Sequence, residues 1–312
     1  MLNLESVAAF IAIAKTGSFT KAARQLAVSK SVVSDRLQEL ERSLGAKLVQ
    51  RTTRRVSLTT DGAAFLERAK RLVREAELAT AELAERRGTV AGSLRISAPV
   101  SFGLLHLGSA LFGFIARYPE IELTLDLEDR FVDLFDEGYD AVIRHGPVEG
   151  KRIVVNQLAT STRLLVASPG YFRRWGKPAS LEDLQQHRGI MYSYRGAADW
   201  RFHVGRRLTT VQPRTALRVN NGLVMRNAAV QGLGIALLPS FLLEAPRRDR
   251  TLRVLDIGAR AEGATLHIGY PEHLRTSAKI RALTAWLREV FGNPPSWERR
   301  DAENDTRPAI AR

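Results

Sequence analysis

Three groups of residues in this 312-residue chain have types and spacings that could do chemistry. The first is polar and clustered. Lys30, Ser31, Ser34, Asp35 and Gln38 follow Ser29, and a helix would place them opposite the apolar stripe of Val33, Leu37, Leu40 and Leu44. Short or flexible polar groups so arranged suit hydrogen bonding to base edges in a DNA major groove. The second group is cationic. Arg51, Arg54 and Arg55 stand directly after that stretch and could track phosphates beside the groove. The third is spread along the rest of the chain. Ser97-Ala98-Pro99-Val100-Ser101-Phe102 runs from a strand end into a helix start, Arg144 and His145 end another strand, and Asn220 and Asn221 precede a further helix. Free N–H groups at a helix start, hydroxyls and a guanidinium would together take a small anion, most naturally a carboxylate. Each group has a plainer explanation: a helical hairpin on a surface, a solvated loop, and, for Ser101 and Asn221, ordinary helix caps.

Catalytic patterns are not found. The chain has no G-x-S-x-G elbow, no G-x-x-x-x-G-K-[ST] loop and no H-E-x-x-H. Gly232-Leu233-Gly234 is a lone G-x-G that reads as a helix-to-strand turn. His106, His187, His203, His267 and His273 lack ligand spacing. The expectation is a protein that binds rather than catalyses, with no cofactor and no metal. The absence of cysteine excludes disulfides, cysteine-ligated zinc and thiol catalysis.

The elements that must position these groups follow from local signals. Leu4, Val7, Ala8, Ile11 and Ala14 give a first helix over residues 3–15 its buried face. Ser18 is placed to cap a short helix over Phe19–Leu26 with Ala22, Ala23 and Leu26 on its apolar side. Ala27 and Val28 make the turn, Ser29 caps the next helix, and Gly45 ends it in a left-handed conformation. Lys47 to Thr59, with Val49, Val56 and Leu58 about an Arg-rich turn, predicts a two-stranded wing. From Thr59 or Thr60 to about Arg87 the pattern is one long helix. Gly62, Leu66, Ala69, Val73, Ala76, Thr80 and Leu83 repeat in steps of four and three, with Phe65, Leu72 and Ala79 widening the stripe. Its 28 or so residues would span roughly 42 Å. That spacing predicts a dimerising linker; the alternative is an amphipathic helix packed on its own domain.

Gly88, Gly92 and Ser93 mark a boundary, after which strands alternate with helices and imply a mainly parallel α/β fold. Phe131 to Gly138 reads as a short helix. The charged stretch after Pro294 and Pro295 reads as disordered. Net charge is +14 and unevenly spread: residues 1–58 hold ten Lys and Arg against four Asp and Glu, and the other 254 residues hold 37 against 29. The density at the N-terminus points to a polyanionic partner there. No run reaches the length of a membrane span and the N-terminus lacks a signal peptide's basic region, so a cytoplasmic protein without a membrane partner is expected.

In this order of elements, and over residues 2–292, the chain resembles the LysR-type transcriptional regulators. The residues that carry the resemblance are Phe10, Gly17, Ser18, Phe19, Ala22, Ala23, Leu26, Ser29, Ser34, Leu40, Glu41, Gly45, Leu48, Arg51, Leu58, Thr59 and Gly62. Val49 stands where the family usually has Phe, Lys30 where it often has Gln, and Asp35 where it often has a basic residue; these departures bear on base preference, not on fold. The resemblance implies a winged helix-turn-helix over 1–58, a linker helix over 59–88 and an α/β effector-binding domain over 89–293. That domain would be two periplasmic-binding-protein-like subdomains, 92–161 with 268–292 and 162–267, followed by a disordered tail over 294–312. It also implies a DNA-binding transcription regulator acting on operator or promoter DNA. A small-molecule effector would sit between the subdomains, at Ser97, Pro99, Val100, Ser101, Phe102, Arg144, His145, Asn220 and Asn221. Self-association as a dimer and tetramer, and RNA polymerase as a further partner, belong to the same expectation. The competing classes are a cytoplasmic solute-binding protein and a ligand-independent architectural DNA-binding protein. Residues 1–58 argue against the former; indifference to sequence and ligand would favour the latter.

Overall fold

The computed structural model describes residues 2–51, 56–86, 89–194, 199–263 and 265–298. The chain divides into two compact units, residues 1–93 with 135–138, and residues 94–134 with 139 onward.

In the first unit α1 (Leu4–Thr16), α2 (Phe19–Gln25) and α3 (Lys30–Leu44) precede the antiparallel pair β1 (Val49–Arg51) and β2 (Val56–Leu58), and α4 (Thr60–Arg86) follows. Local capping sets these boundaries. The side chains of Asn3, Ser18 and Ser29 accept hydrogen bonds from the amides of Glu5, Lys21 and Val32, each satisfying a first-turn donor. Gly17 (φ 61°) and Gly45 (φ 64°) close α1 and α3 in the left-handed region. Thr59 is the residue that caps α4: its hydroxyl accepts from the Gly62 amide and donates to the Lys47 carbonyl. Val7, Phe10, Ile13, Phe19, Ala22, Val33, Leu37, Leu40 and Leu48 form the buried core under this frame. Gly62 is required by close approach, since a Cβ there would stand 2.0 Å from the Leu48 carbonyl oxygen.

Much of the α4 stripe is spent on this core. Ala69 is fully buried, Phe65, Leu66 and Val73 pack partly buried against the same cluster, and the Phe10 and Phe65 rings lie 5.8 Å apart. The seam expected to face a second protomer through Gly62–Val73 therefore faces the chain's own winged helix. Leu72, by contrast, is 42% exposed. The side chain of Leu83, and those of Arg54 and Arg55 in the wing turn, lie outside what the structure describes, as does that of Arg51, whose backbone is in β1.

β3 (Gly92–Ala98) leads into the second unit, followed by one continuous helical segment made of α5 (Val100–Phe102), a π-helical turn (Gly103–Leu107) and α6 (Gly108–Arg117). β4 (Ile121–Leu127), β5 (Ala141–His145), β6 (Ile153–Ala159), β7 (Arg163–Ala167), α7 (Pro169–Trp175) and β8 (Arg188–Tyr192) follow. Next come β9 (Arg201–Val204), β10 (Arg207–Thr210), β11 (Arg214–Val219), α8 (Gly222–Val230) and β12 (Ile235–Pro239). α9 (Glu244–Arg248), β13 (Arg253–Val254), β14 (Arg260–Ala261), β15 (Leu266–Pro271) and α10 (Ala278–Phe291) complete it. Two five-stranded sheets, β4-β3-β5-β15-β6 and β11-β8-β12-β7-β13, form the two subdomains, and β10-β9-β14 is a small third sheet. The chain passes from the first subdomain to the second between β6 and β7 and returns between β14 and β15.

Four expectations are corrected. The sheets are mixed rather than mainly parallel, because β15 runs antiparallel to β5 and β6, and β7 antiparallel to β12 and β13. Residues 131–133 lack regular structure and 134–138 form a turn, not a helix; eight residues with one buried apolar anchor, Leu134, do not repay helix nucleation. Residues 294–298 are packed: a 3-10 turn over Ser296–Glu298 buries Trp297 at 4% exposure. The rest of the tail expected to be disordered, 299–312, lies outside the described residues. Finally, the helix Val100–Arg117 does reach 18 residues at a mean hydropathy of 1.4. It is a covering helix of the first subdomain: Phe102, Leu107, Leu111 and Phe114 are buried, and the Trp286 indole of α10 donates to the Ala110 carbonyl.

Candidate DNA interface and effector cleft

The α3 face that could read DNA is built by its opposite side. Val33, Leu37 and Leu40 are almost wholly buried, which turns Lys30, Ser31, Asp35 and Gln38 to solvent and leaves Ser34 half-buried. Ser29 is committed to capping, and its hydroxyl also lies 2.7 Å from that of Ser31. Arg42, not singled out by the sequence pattern, extends the exposed strip one turn beyond Gln38. Arg36 and Glu39 are turned toward α1, where Arg36 pairs with Glu5 and Glu39 accepts from the Ser6 hydroxyl.

The wing is anchored by a residue whose role sequence spacing did not disclose. Glu41, on the last turn of α3, is 6% exposed. Its Oε1 accepts from the amides of Leu48 (2.9 Å) and Val49 (3.2 Å), and its Oε2 from Lys47 Nζ (2.7 Å). Burial opposes its ionisation, but the hydrogen bonds from Lys47 and the two amides outweigh burial and hold its carboxyl below the ordinary value. A buried carboxylate thus fixes where β1 begins.

The cleft lies where the two subdomains meet. Near the end of β3 stands Ser97, fully buried, whose hydroxyl accepts from an Arg144 guanidinium nitrogen at 2.8 Å. Burial pushes the Arg144 pKa down, while the nearby Glu128 and Asp129 carboxylates oppose that shift. Ser101 Oγ accepts from the Leu223 amide at 3.1 Å, a direct contact between α5 and the start of α8. Gly222 permits it, since a Cβ there would meet Ser101 Oγ at 3.3 Å and Leu242 at 2.9 Å. Asn221 Oδ1 caps α8 by accepting from Leu223 and Val224. Asn220 donates to the Tyr194 hydroxyl at 3.3 Å.

Asp129 is the residue that sequence spacing missed. Its Oδ1 accepts from the Val100 amide at 3.1 Å and its Oδ2 from Asn221 Nδ2 at 2.9 Å. Glu128, its neighbour, accepts from the Tyr139 hydroxyl and pairs with Arg130, so the two adjacent acids meet different surroundings. Burial raises the Tyr139 pKa well above its ordinary value, and the Glu128 hydrogen bond adds to the rise.

Two residues expected to touch a ligand lie in an aromatic cluster. Phe102 is fully buried in an aromatic cluster with His106, His145, Phe241, Phe291 and Trp297, at ring separations of 5.3 to 5.7 Å. His145 stacks on Phe241 at 4.5 Å and 14°. Both rings therefore pack at the joint between subdomains. Ser97, Pro99, Val100, Ser101, Arg144 and Asn221 are brought together; Asn220 stands at the edge beside Tyr194.

Residues 4–63 match the family model described as bacterial regulatory helix-turn-helix protein, lysR family, and residues 87–292 match the LysR substrate binding domain. The HTH-type transcriptional regulator PtxR of Pseudomonas aeruginosa is 34% identical over 298 residues, covering 94% of this chain and 95% of PtxR. Among solved structures, the LysR-type transcriptional regulator CrgA of Neisseria meningitidis superposes with a TM-score of 0.58 at 27% identity, over 93% of this chain and 99% of CrgA. The Vibrio cholerae virulence activator AphB shares the fold, with a TM-score of 0.58 at 23% identity over 91% of this chain and 98% of AphB.

Proposed function

The chain belongs to the LysR-type transcriptional regulators, and from that premise we propose that it binds specific operator sequences through α3 under the control of a small organic anion. The observation that carries the DNA part is the exposed polar strip Lys30, Ser31, Asp35, Gln38, set by a capped turn over a rigid core. Asp35 can accept from cytosine N4, Gln38 can take adenine bidentately, and Lys30 can take guanine. Arg51, Arg54 and Arg55 supply phosphate contacts that fix register without reading sequence.

Pairing of two protomers would present two such helices to a two-fold site, with half-sites about 34–36 Å apart or a multiple of it. Because α4 spends Phe65, Leu66, Ala69 and Val73 on its own core, we assign the dimer contact to its outward stripe, of which Leu72 is an exposed apolar member. A tetramer and a contact with RNA polymerase belong to the same reading, and a cytoplasmic location accords with it.

Support for an anionic effector is the grouping of the half-buried Arg144 guanidinium, the Val100 amide and the Ser101 hydroxyl about the end of β3. Mapping the genomic sites bound by the full-length protein tests the reading as a whole. Recovery of a two-fold sequence at a small number of promoters is expected. Uniform occupancy without a shared sequence would instead favour an architectural DNA-binding protein.

A further inference from the structure

We propose that Asp129 is a built-in occupant of the cleft: its carboxylate takes the place of an effector anion and ties the two subdomains together when no effector is bound. The inference deepens the anionic-effector reading above and rests on it for the displacement step alone.

The geometry has three parts. Asp129 stands in the first subdomain just after β4 and reaches the Val100 amide with one oxygen, at 3.1 Å. With the other it takes the Asn221 amide group of the second subdomain, at 2.9 Å. Beside it a second link crosses the cleft, the Leu223 amide donating to Ser101 Oγ at 3.1 Å. The donors that would recognise a foreign carboxylate are thus already engaged: Val100 and Asn221 by Asp129, and Arg144 by Ser97 and by the Ile143 carbonyl.

A plain helix cap would need only the Val100 contact. The contact to Asn221, 92 residues away in sequence, does nothing for that helix. It holds the start of α8 against the start of α5. Charge-assisted hydrogen bonds are roughly twice as strong as neutral ones, so this carboxylate makes a stronger tie than a neutral side chain could. It also sets a condition on the ligand. A carboxylate entering beside Asp129 meets a like charge, which disfavours binding unless it displaces that group from Val100 and Asn221. Displacement exchanges one carboxylate for another at the same donors, and the subdomains are then held together by a diffusible molecule instead of by the chain. The cleft responds to concentration because the tie has become bimolecular.

The test exploits the near-identical shapes of Asp and Asn. Asn221→Asp keeps an oxygen to cap α8 but removes the donor and sets two carboxylates face to face. Combining it with Asp129→Asn restores one donor and one acceptor with the polarity reversed. In the full-length protein without ligand, hydrogen exchange over residues 221–225 should speed up by about tenfold in Asn221→Asp, the factor that corresponds to about 1.4 kcal/mol. In the double exchange it should return to near the native rate. Exchange that is unchanged in the single variant, or not restored in the double, overturns the tether.

A calorimetric arm uses succinate and benzoate as probes, with succinamide and benzamide as neutral controls. Asp129→Ala frees both donors and removes the like charge, so the acids should bind at least about tenfold more tightly than to the native chain, with the amides unchanged. Acids that bind native and variant equally overturn the competition. If neither protein binds any acid while the exchange result holds, the anionic effector of the preceding section fails and the tether stands.

Discussion

Glu41→Ala gives the sharpest test of how the DNA-binding unit is held together. The carboxylate accepts from two buried amides and from Lys47. Lys47 is 77% exposed, so its ion pair contributes little on its own. The cost lies in the Leu48 and Val49 amides, which Ala leaves without an acceptor at a site closed to solvent. A hydrogen bond to a charged group contributes about 1.5–3 kcal/mol. With two lost and partial access of water to the loosened strand, a destabilisation of about 3 kcal/mol is expected, a large share of the roughly 5–15 kcal/mol that a domain possesses. The four tryptophans, Trp175, Trp200, Trp286 and Trp297, all lie in the second unit. Urea unfolding followed by circular dichroism and by tryptophan fluorescence therefore separates the two units. The helical signal should acquire an early transition while the fluorescence midpoint stays in place.

Glu41→Gln keeps one acceptor and isolates the charge. The folded carboxyl lies below its ordinary value of 4.5, so its contribution is present above that pH and is lost as pH falls through the folded value. The advantage of Glu over Gln should thus hold at pH 7 and shrink in acid. A Glu41→Ala protein within about 0.5 kcal/mol of native, or one whose two signals shift together, would refute the reasoning.

Three further perturbations follow from the same structure. Leu72→Asp should abolish dimers in sedimentation while leaving the helical signal intact, whereas Val73→Asp, which buries a charge against the winged-helix core, should unfold that unit; the reverse pattern would return the dimer contact to the Gly62–Val73 stripe. Gln38→Ala should cost about 1–3 kcal/mol at one base position and relax specificity there. Arg51→Ala should weaken specific and random DNA alike and flatten the salt slope by about one unit; equal losses for both variants on both DNAs would reject the division of roles. Glu298 accepts from the Thr162 amide and hydroxyl and from Ser240 Oγ, and the Trp297 indole donates to the Thr160 carbonyl. Removing residues 294–312 should therefore lower the fluorescence midpoint, and removing only 299–312 should not; indistinguishable truncations would show that this turn carries no stability.

What the sequence determined by itself was whatever rests on near neighbours in the chain. The caps Ser18 and Ser29, the left-handed Gly45, the apolar stripe Val33-Leu37-Leu40 and the exposed strip opposite it follow from spacings of a few residues, because a helix's periodicity and its terminal hydrogen bonds are local. The family could be recognised for the same reason, from the dense run between Gly17 and Gly62. Tertiary structure decided the matters that depend on what lies opposite. The four-and-three pattern of α4 specifies an apolar face, but not whether that face meets a partner or the chain's own α1; the Phe10–Phe65 contact answers for its first half. Pro294 and the charges after it signal a chain end, yet Trp297 and Glu298 find partners more than 130 residues away. In the cleft, Ser97, Ser101 and Arg144 were legible as anion-binding types, but that the anion beside them is Asp129 depends on contacts spanning 29 and 92 residues. A carboxylate in sequence shows only its charge, and the fold alone selects which amides it meets.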